Sequence, residues 1–556
     1  MAASRMDRRM KYAALAVALL VLLVGTYVLT RPPSPPPSPP PKAPAILTLG
    51  MYTEPPILDP HRCTGVPNLG ILGLITETVL DLHYSTGELL PCLAERWEES
   101  PDATTWTLYL RKNVKFHDGT PFNASVVKFN LERLLDPNTK GPARGAFTII
   151  KSIEAKDEYT AVIKTTPHAP FLRLLRYGPS EMVSPTQVKK LGEEFYRQLA
   201  GTGPYKLAEY VRGSHMRLVA NDQYWGGRPK IDEITVRFIP DGTARTMALE
   251  AGQIDYASRV TPDDVSRLKT NPNFNIIYGV PAWSVYLGLN NAYGPFQDKK
   301  VRQALNYAID KTQIVQRIYK GLATVMDSPI CNMSFGYYKA GPYPYDPAKA
   351  KTLLKEAGFS EGFETTLMFR PDRSALETSI VESIQSFLSA VGVKVKLMPL
   401  EASAFVSKYL LPLNKTDVQM FFQSLTGGVT LDAEMILKEF RPDTRGLLPI
   451  YYDNPKVTEL HEKARLTTSA ETRKSLYKEV IQLIWEDAPC VFLWFEASNH
   501  ATAKRVHGLQ VRADETIWLS GAYVDVKASS AAPSLMLLVP TTTKETIPKD
   551  ACFTLD

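Results

Sequence analysis

Side chains able to perform catalysis or bind a metal occur throughout this chain, but their spacing matches no catalytic motif. The histidines are scattered, and His461-Glu462 lacks the second histidine that a zinc-peptidase helix places four residues later. Phosphate-binding GxxxxGKS/T, nucleophile-elbow GxSxG and redox CxxC patterns are absent. The five cysteines lie far apart, so Cys63 and Cys92 are either a disulfide pair or free core thiols. These residues predict a protein that is not an enzyme and has neither a cofactor nor a metal site.

The closest approach to a catalytic pair is His117-Asp118, and its neighbours indicate a turn. Gly119 follows directly and Pro121 comes two residues later, which is typical of a tight turn. Asn123 is then suited to cap a helix that carries an apolar stripe. We therefore interpret His117 as a structural residue.

The segments that must position any site alternate between strand and helix patterns. Apolar residues alternate with polar ones over 105–110 and again over 393–397, which predicts half-buried strands. Asp298 and Asp346 precede stretches with apolar residues at helical spacing, and Gly358 follows the second of them. This interleaving of helices and strands predicts an α/β protein.

Length and charge narrow the class of protein further. The 556 residues suggest about three domains, and the composition is that of a soluble globular protein rather than a disordered chain. The net charge is +6. Most of this excess comes from basic residues near the N-terminus, namely Arg5, Arg8, Arg9, Lys11 and Arg31. The rest of the chain is nearly neutral, so a nucleic-acid partner is not expected.

The N-terminus has the pattern of an export segment. Residues 12–30 contain no charge and, as a helix, would measure about 28 Å, close to the thickness of a bilayer core. The basic residues of 1–11 predict a cytoplasmic flank, so the chain that follows would face outward. The segment is either a cleaved signal or a retained transmembrane anchor, and the lack of a small-residue cleavage site favours the anchor. Residues 32–44 hold nine prolines and predict an extended stalk of roughly 40 Å.

Six segments of the body form a recognisable series. The most specific is LAERWEESPDATTWTLYLRKNVKFHDGTPFNASVVKFNLERLLD at 93–136. The others lie at 54–65, 201–207, 224–255, 287–311 and 345–359. Together they resemble the bacterial extracellular solute-binding proteins of family 5, which are the dipeptide-, oligopeptide- and nickel-binding components of ABC importers. The likeness runs in one order from about residue 46 to residue 525. Most of these motifs are turns and core positions, so they identify the fold better than the ligand.

The resemblance implies a type II periplasmic-binding-protein fold, in which two lobes joined by two crossing segments close on a ligand. The first lobe is expected at 45–77, 199–283 and 506–528, with an inserted subdomain at 78–198 and the second lobe at 284–505. Residues 529–556 exceed the family outline and are expected to be a tail. A ligand that contacts both lobes would shift the population towards the closed form.

The resemblance also implies where the ligand lies. Thr64 and Gly65 belong to the loop that lines the cleft in relatives. In dipeptide-binding relatives an arginine meets the ligand's carboxylate, and Arg373 stands at the matching place, with Arg370 beside it. A surface arginine is the alternative interpretation for either residue.

An aspartate meets the ligand's ammonium in those relatives, and here the match is weaker. Asp432 is the candidate and Glu434 is the other available acid, but the usual DPD pattern is missing. Asp432 is also well suited to cap the helix that follows it. If it is only a cap, a solute other than a peptide becomes the better expectation.

The resemblance finally implies a role. This would be the substrate-binding component of an ABC importer, which captures short peptides or related small solutes and delivers them to a membrane permease. A nickel or other metal chelate is the alternative ligand, and a ligand sensor is the alternative role. We expect a monomer in the periplasm or at the extracellular face of the cytoplasmic membrane, anchored or secreted by the N-terminal helix.

Overall fold

A computed structural model describes residues 2–30, 43–63, 70–83, 86–374, 376–409, 411, 415–427, 430–442 and 448–526. Residues 1–43 form one unit and residues 44–556 form another. In the first unit, α1 (Ala2–Thr30) is one helix that includes the predicted export segment. Among the described residues, we find no helix with both the length and the apolar character needed to cross a membrane. The predicted stalk up to residue 42 and the predicted tail at 529–556 lie outside the described residues.

The second unit interleaves strands and helices, as the sequence predicts. Its strands are β1 (Ile46–Met51), β2 (Leu80–Leu82), β3 (Leu89–Pro91), β4 (Ala94–Glu99), β5 (Thr105–Leu110), β6 (Ile150–Asp157), β7 (Thr160–Thr165), β8 (Tyr205–Val211), β9 (His215–Ala220), β10 (Glu233–Phe238), β11 (Tyr256–Ala257), β12 (Phe274–Ile277), β13 (Trp283–Leu289), β14 (Ala323–Val325), β15 (Phe363–Phe369), β16 (Val393–Pro399), β17 (Met420–Thr426), β18 (Cys490–Glu496), β19 (His500–Ala503), β20 (Val506–His507), β21 (Gln510–Val511), β22 (Ile517–Trp518) and β23 (Tyr523–Val524).

The helices of this unit cover the faces of its sheets. They are α2 (Ala124–Leu135), α3 (Arg144–Phe147), α4 (Phe171–Leu174), α5 (Pro185–Leu191), α6 (Gly242–Glu250), α7 (Pro262–Leu268), α8 (Lys299–Ala308), α9 (Lys311–Arg317), α10 (Pro347–Glu356), α11 (Glu377–Ser389), α12 (Ala402–Tyr409), α13 (Ala433–Leu437), α14 (Pro455–Leu466) and α15 (Ala470–Asp487).

Local sequence signals account for several of these elements. Asn123 caps α2 by accepting a hydrogen bond from the backbone N–H of Val126 at 3.2 Å, and Asp298 and Asp346 cap α8 and α10 in the same way. The predicted turn at His117 is confirmed, because Gly119 has a φ of +85° and the His117 imidazole bonds the carbonyl of Gly203 at 2.9 Å. These predictions needed only a few neighbouring residues.

Three sheets carry the architecture. The first has the strand order β12-β19-β11-β1-β10-β9-β8, the second β14-β18-β13-β17-β15-β16, and the third β4-β5-β7-β6. In the first sheet β1 is parallel to β10 and β11, and β12 has the same direction because both β11 and β12 are antiparallel to β19. In the second sheet β15, β16, β17 and β18 run in one direction, opposite to β13. The first and second sheets therefore each have one edge at which the carboxyl ends of several strands meet.

Two short segments connect these carboxyl edges. Residues 278–282 lead from β12 into β13, and residues 497–499 lead from β18 into β19. The segments pass so closely that a Cβ at Gly279 would collide with the carbonyl oxygen of Ser498. Because β19 pairs with β11 and β12, the chain has returned to the first sheet by residue 500, inside the range predicted for the second lobe. The remaining lobe boundaries stay a prediction.

Candidate ligand-binding site

The loops at the two carboxyl edges are the place where an α/β sheet protein usually binds its ligand. In the second sheet these loops follow β15, β17 and β18, and they contain Arg373, Asp432 and Ser498. In the first sheet they follow β1 and β11, and they contain Tyr52 and Arg259. The edges are joined by the two crossing segments, so the candidate site is built around these crossings.

Arg373 lies at the carboxyl edge of the second sheet, held by a buried glutamate. Its Nε donates to Glu377 Oε2 at 2.6 Å, and its Nη1 donates to Ser424 Oγ at 3.1 Å. Burial raises the pKa of Glu377, and the guanidinium of Arg373 opposes that rise. The Arg373 side chain is 24% exposed, whereas Glu377 is 1% exposed. The orientation of the Arg373 side chain is therefore fixed by its protein partners. The Nη2 of Arg373 forms no hydrogen bond to a described residue.

The neighbouring Arg370 has a different environment. Its Nη2 donates to Asp372 at 3.0 Å, and both side chains face solvent. Of the two arginines that the sequence singles out, Arg373 is thus the one oriented by buried partners. Its contact with a ligand remains a prediction.

Asp432 is fully buried and its carboxylate is already bound by basic side chains. Arg473 Nη2 lies 3.0 and 2.9 Å from its two oxygens, the Tyr477 hydroxyl donates at 3.3 Å, and Arg173 Nε lies 3.7 Å away. Asp432 also accepts the backbone N–H of Glu434 at 3.1 Å, so it caps α13 as the alternative interpretation proposes. An incoming ammonium would have to compete with two arginines for this carboxylate. Its role in ligand binding stays a prediction.

A cavity of about 440 Å³ adjoins Asp432, between the third sheet's subdomain and the helices α13 and α14. Its lining includes His168, Thr430, Glu434 and Arg465. Burial, and then the charge of Arg465, lowers the pKa of His168 to about 3, so this histidine is neutral near pH 7. Burial raises the pKa of Glu434. Burial is thus the first cause of the pKa shift of both side chains.

Arg259 is the counterpart of Arg373 on the first sheet, and the sequence did not single it out. Its Nε and Nη2 donate to the two oxygens of Glu515 at 3.0 and 2.7 Å. Its guanidinium lies 4.2 Å from the ring centre of Tyr52 and 5.4 Å from that of Trp283. Burial disfavours the charge of Arg259, but Glu515, Tyr52 and Glu496 together outweigh burial, so the pKa of Arg259 is raised. Because these partners are far apart in the chain, no local sequence pattern predicts their contacts with Arg259.

Several buried polar atoms near the crossings have no hydrogen-bond partner among the described residues. They include the indole Nε1 of Trp283, the hydroxyl of Thr430 and the imidazole Nε2 of His500. A buried donor without an acceptor is unfavourable and often marks a site completed by a ligand or water. Trp283 pairs with Glu496 across β13 and β18, so its indole belongs to the same crossing as Arg259.

Other predicted residues fall outside this description or have a structural role. Thr64 and Gly65 lie outside the described residues, directly after Cys63. Cys63 and Cys92 do not form a disulfide with each other. Within the described part of the chain, no group of three histidine, cysteine or acidic side chains is placed to hold a metal ion.

Comparisons with known proteins concern the family and the fold. The family model of bacterial extracellular solute-binding proteins, family 5 middle, matches residues 88–446. The glutathione-binding protein GsiB of Pectobacterium atrosepticum is 32% identical over 435 residues, which is 77% of this chain and 84% of that protein. The periplasmic binding protein DppA of Helicobacter pylori, solved with the peptide STSA, has a TM-score of 0.73 and 28% identity, covering 85% of this chain and 98% of that chain.

A third similar structure carries a different kind of ligand. NikZ of Campylobacter jejuni, solved with Ni(L-His), has a TM-score of 0.73 and 25% identity, covering 86% of this chain and 98% of that chain. The predicted α/β fold of the type II periplasmic binding proteins is confirmed by these structures. The family match spans more than half of the chain, and this protein belongs to the bacterial extracellular solute-binding proteins of family 5.

Proposed function

We propose that this protein is the extracytoplasmic substrate-binding component of an ABC importer and that it binds a short peptide or a peptide-like solute. Membership of the family supports the transport role. A relative that binds glutathione and a similar structure solved with a peptide support the ligand class. Closure of the two lobes on the ligand is part of this proposal, with the lobe boundaries predicted from the sequence.

The observation that carries the ligand class is the pair of arginines at the carboxyl edges. Arg259 and Arg373 are each oriented by a buried glutamate, and each keeps one terminal nitrogen, Nη1 and Nη2 respectively, without a partner among the described residues. Such a nitrogen is suited to a carboxylate oxygen. The unpartnered indole N–H of Trp283 suits a peptide carbonyl. Glutathione, a tripeptide with two carboxylates, is therefore the first ligand to test.

Ligand identity is tested on the purified full-length chain. Mass spectrometry of small molecules released by denaturation is combined with thermal-shift titration of glutathione, a dipeptide set and nickel–histidine. We expect a rise in Tm with glutathione or peptides, since a ligand that binds only the folded state stabilises it. A rise with nickel–histidine alone would replace the peptide with a metal chelate, for which the similarity to NikZ is the supporting observation.

Replacing Arg373 by glutamine should weaken binding of the identified peptide-like ligand about 10- to 100-fold. A hydrogen bond to a charged group contributes about 1.5–3 kcal/mol, and glutamine keeps polarity but not the charge. Isothermal titration calorimetry measures the change. Arg370→Gln is the matched control, because Arg370 is engaged by Asp372 at the surface, and its affinity should stay within about twofold of the original. Equal effects of the two substitutions would contradict a ligand contact by Arg373.

Location at the outer face of the cytoplasmic membrane is also part of the proposal. Its support is the uncharged stretch at 12–30 behind a basic flank. Fractionation of cells, with N-terminal sequencing of the mature protein, separates a retained anchor from a cleaved signal. Recovery of the intact chain in the cytoplasm would contradict export altogether.

A further inference from the structure

A second cavity, of about 470 Å³, lies apart from the candidate ligand site. Its lining comes from residues 73–81, 91–92, 176–181, 204–205, 224–230 and 512–521, so the second sheet and its helices contribute nothing to it among the described residues. This volume is within the range of small-molecule pockets. The cavity is therefore large enough to hold a small molecule that does not occupy the candidate ligand site.

Aromatic rings form a large part of its wall. Tyr224 and Trp225 lie side by side with ring centres 5.3 Å apart, and Trp518 lines the cavity beneath the guanidinium of Arg512 at 4.0 Å. The Tyr224 hydroxyl and the Trp225 indole both donate to Glu77, at 2.8 and 2.9 Å. The guanidinium of Arg111 lies over one face of Trp225 at 4.3 Å, as that of Arg512 does over Trp518. A carboxylate is thus held in place beside aromatic rings, an arrangement that suits an organic cation.

The buried charges of the lining do not balance. Four acids line the cavity, namely Glu77, Asp81, Glu181 and Asp514. The buried bases are two arginines: Arg512 binds Asp81 at 2.6 Å, and Arg176 binds Asp514. In the described chain neither Glu77 nor Glu181 forms an ion pair; their hydrogen-bond donors are neutral hydroxyl and indole groups. If all four acids are ionised, the buried cluster lacks two positive charges.

The basic residues at the mouth do not make up this deficit. Arg228 is exposed and already bound by Asp222 and Asp232, each at 2.7 Å. Lys230 is exposed, and its charge is screened by solvent. Burial raises the pKa of Glu77 to about 7 and that of Glu181 to about 8, and a cation bound beside them would favour their ionised forms.

One further atom in the lining requires a partner. The Nε of Arg512 is buried and has no acceptor among the described residues. An occupant that carries an oxygen acceptor in addition to its positive charge would satisfy both Arg512 and the acids.

We propose that this cavity is a second binding site, which takes a small amine with an aromatic or apolar body and an oxygen acceptor. The ammonium group lies against Glu77, the body lies against Trp225 and Trp518, and the oxygen accepts from Arg512. The lining of this cavity includes neither Arg259 nor Arg373, and the proposal does not depend on the peptide proposal.

The test uses three probes of the same size that differ in charge. Tyramine is a cation, 4-(2-hydroxyethyl)phenol is its neutral analogue and 4-hydroxyphenylacetate is an anion. Calorimetry of the full-length chain at pH 8 should detect tyramine binding at least about tenfold tighter than that of either analogue. No binding of tyramine, or equal binding of all three probes, would overturn the proposal.

Three substitutions assign the binding to this cavity. Glu77→Gln removes the charge and should weaken tyramine binding at least about tenfold. Ser520→Trp narrows the mouth from an exposed position, so it keeps the test valid if the first variant fails to fold. Arg373→Gln should leave tyramine binding unchanged. Loss of tyramine binding in Arg373→Gln, or its retention in Ser520→Trp, would place the amine elsewhere and overturn the assignment.

Discussion

Replacing Arg473 by methionine is expected to lower the free energy of unfolding by about 3–5 kcal/mol, because a buried carboxylate loses its principal counter-charge. Both oxygens of Asp432 lie within 3.0 Å of Arg473 Nη2, and the two side chains are only 9% and 1% exposed. The substitution also removes the stacking of the guanidinium on Phe335, at 4.6 Å. Urea denaturation at pH 7.5 measures the loss.

The control for this prediction lies one residue further along α15. Lys474 is exposed and pairs with Glu471 at 3.3 Å, so Lys474→Met should change stability by less than about 0.5 kcal/mol. Adding Asp432→Asn to the Arg473→Met variant should recover part of the loss, because a neutral amide needs no counter-charge. A loss below about 1 kcal/mol in Arg473→Met would contradict the ion pair as described.

This ion pair bears on the choice of ligand. If Asp432 served only an incoming ammonium, removal of Arg473 would leave stability nearly unchanged. A large loss would instead assign the carboxylate to the internal network of Arg473, Tyr477 and Arg173. Recognition would then rest more on the ligand's carboxylates and carbonyls than on its amino group.

Acidification from pH 7.5 to 4.5 is expected to destabilise the protein by several kcal/mol through buried histidines. Burial is the first cause of a lowered pKa at five histidines. The pKa is lowered to about 4 at His61, His117 and His500, and to about 3 at His168 and His461. Since the folded pKa lies below the unfolded value, the unfolded chain takes up protons first. This stability is present above the unfolded pKa and is lost as the pH falls from about 6.5 towards 4. These contributions and the opposite contributions of buried glutamates together leave a net loss of several kcal/mol.

Glutamates with a raised pKa act in the opposite direction and offset part of this loss, and the largest shifts are those of Glu77 and Glu181. The raised pKa values of Glu77 and Glu181, about 7 and about 8, mean that acidification stabilises the folded state through them. His461→Gln should therefore flatten the fall in unfolding free energy between pH 7.5 and 4.5, whereas Glu77→Gln should steepen it. Urea denaturation across this pH range measures both slopes. Equal slopes in the two variants and the original protein would show that these groups are not buried as described.

The sequence predicted those features whose signals lie within a few neighbouring residues. The caps Asn123, Asp298 and Asp346 precede the helices that they begin, and the turn at His117 was recognisable from Gly119 and Pro121. The series of family motifs, confirmed by the family match, followed from residues at fixed spacing. Arg373 was proposed from such a motif, and the structure places it at a carboxyl edge with a buried partner.

Contacts between distant segments could not be predicted in this way. Arg259 and Glu515 are 256 residues apart, and no sequence pattern around either residue predicts their contact. The partners of Asp432 come from α15 and from the segment after the third sheet. Whether Asp432 caps a helix or binds a ligand therefore depended on how those elements pack.

By itself the sequence determined the α/β class, the family and the helix caps, and our proposal that the chain after residue 30 faces outward rests on it alone. Only the tertiary structure decided which side chains share an environment: the arginines at the two carboxyl edges, the paired carboxylate of Asp432 and the acidic, aromatic cavity around Glu77. The physical reason is that caps and turns are local hydrogen-bonding patterns. Burial and charge compensation instead depend on strand order and on contacts between segments hundreds of residues apart.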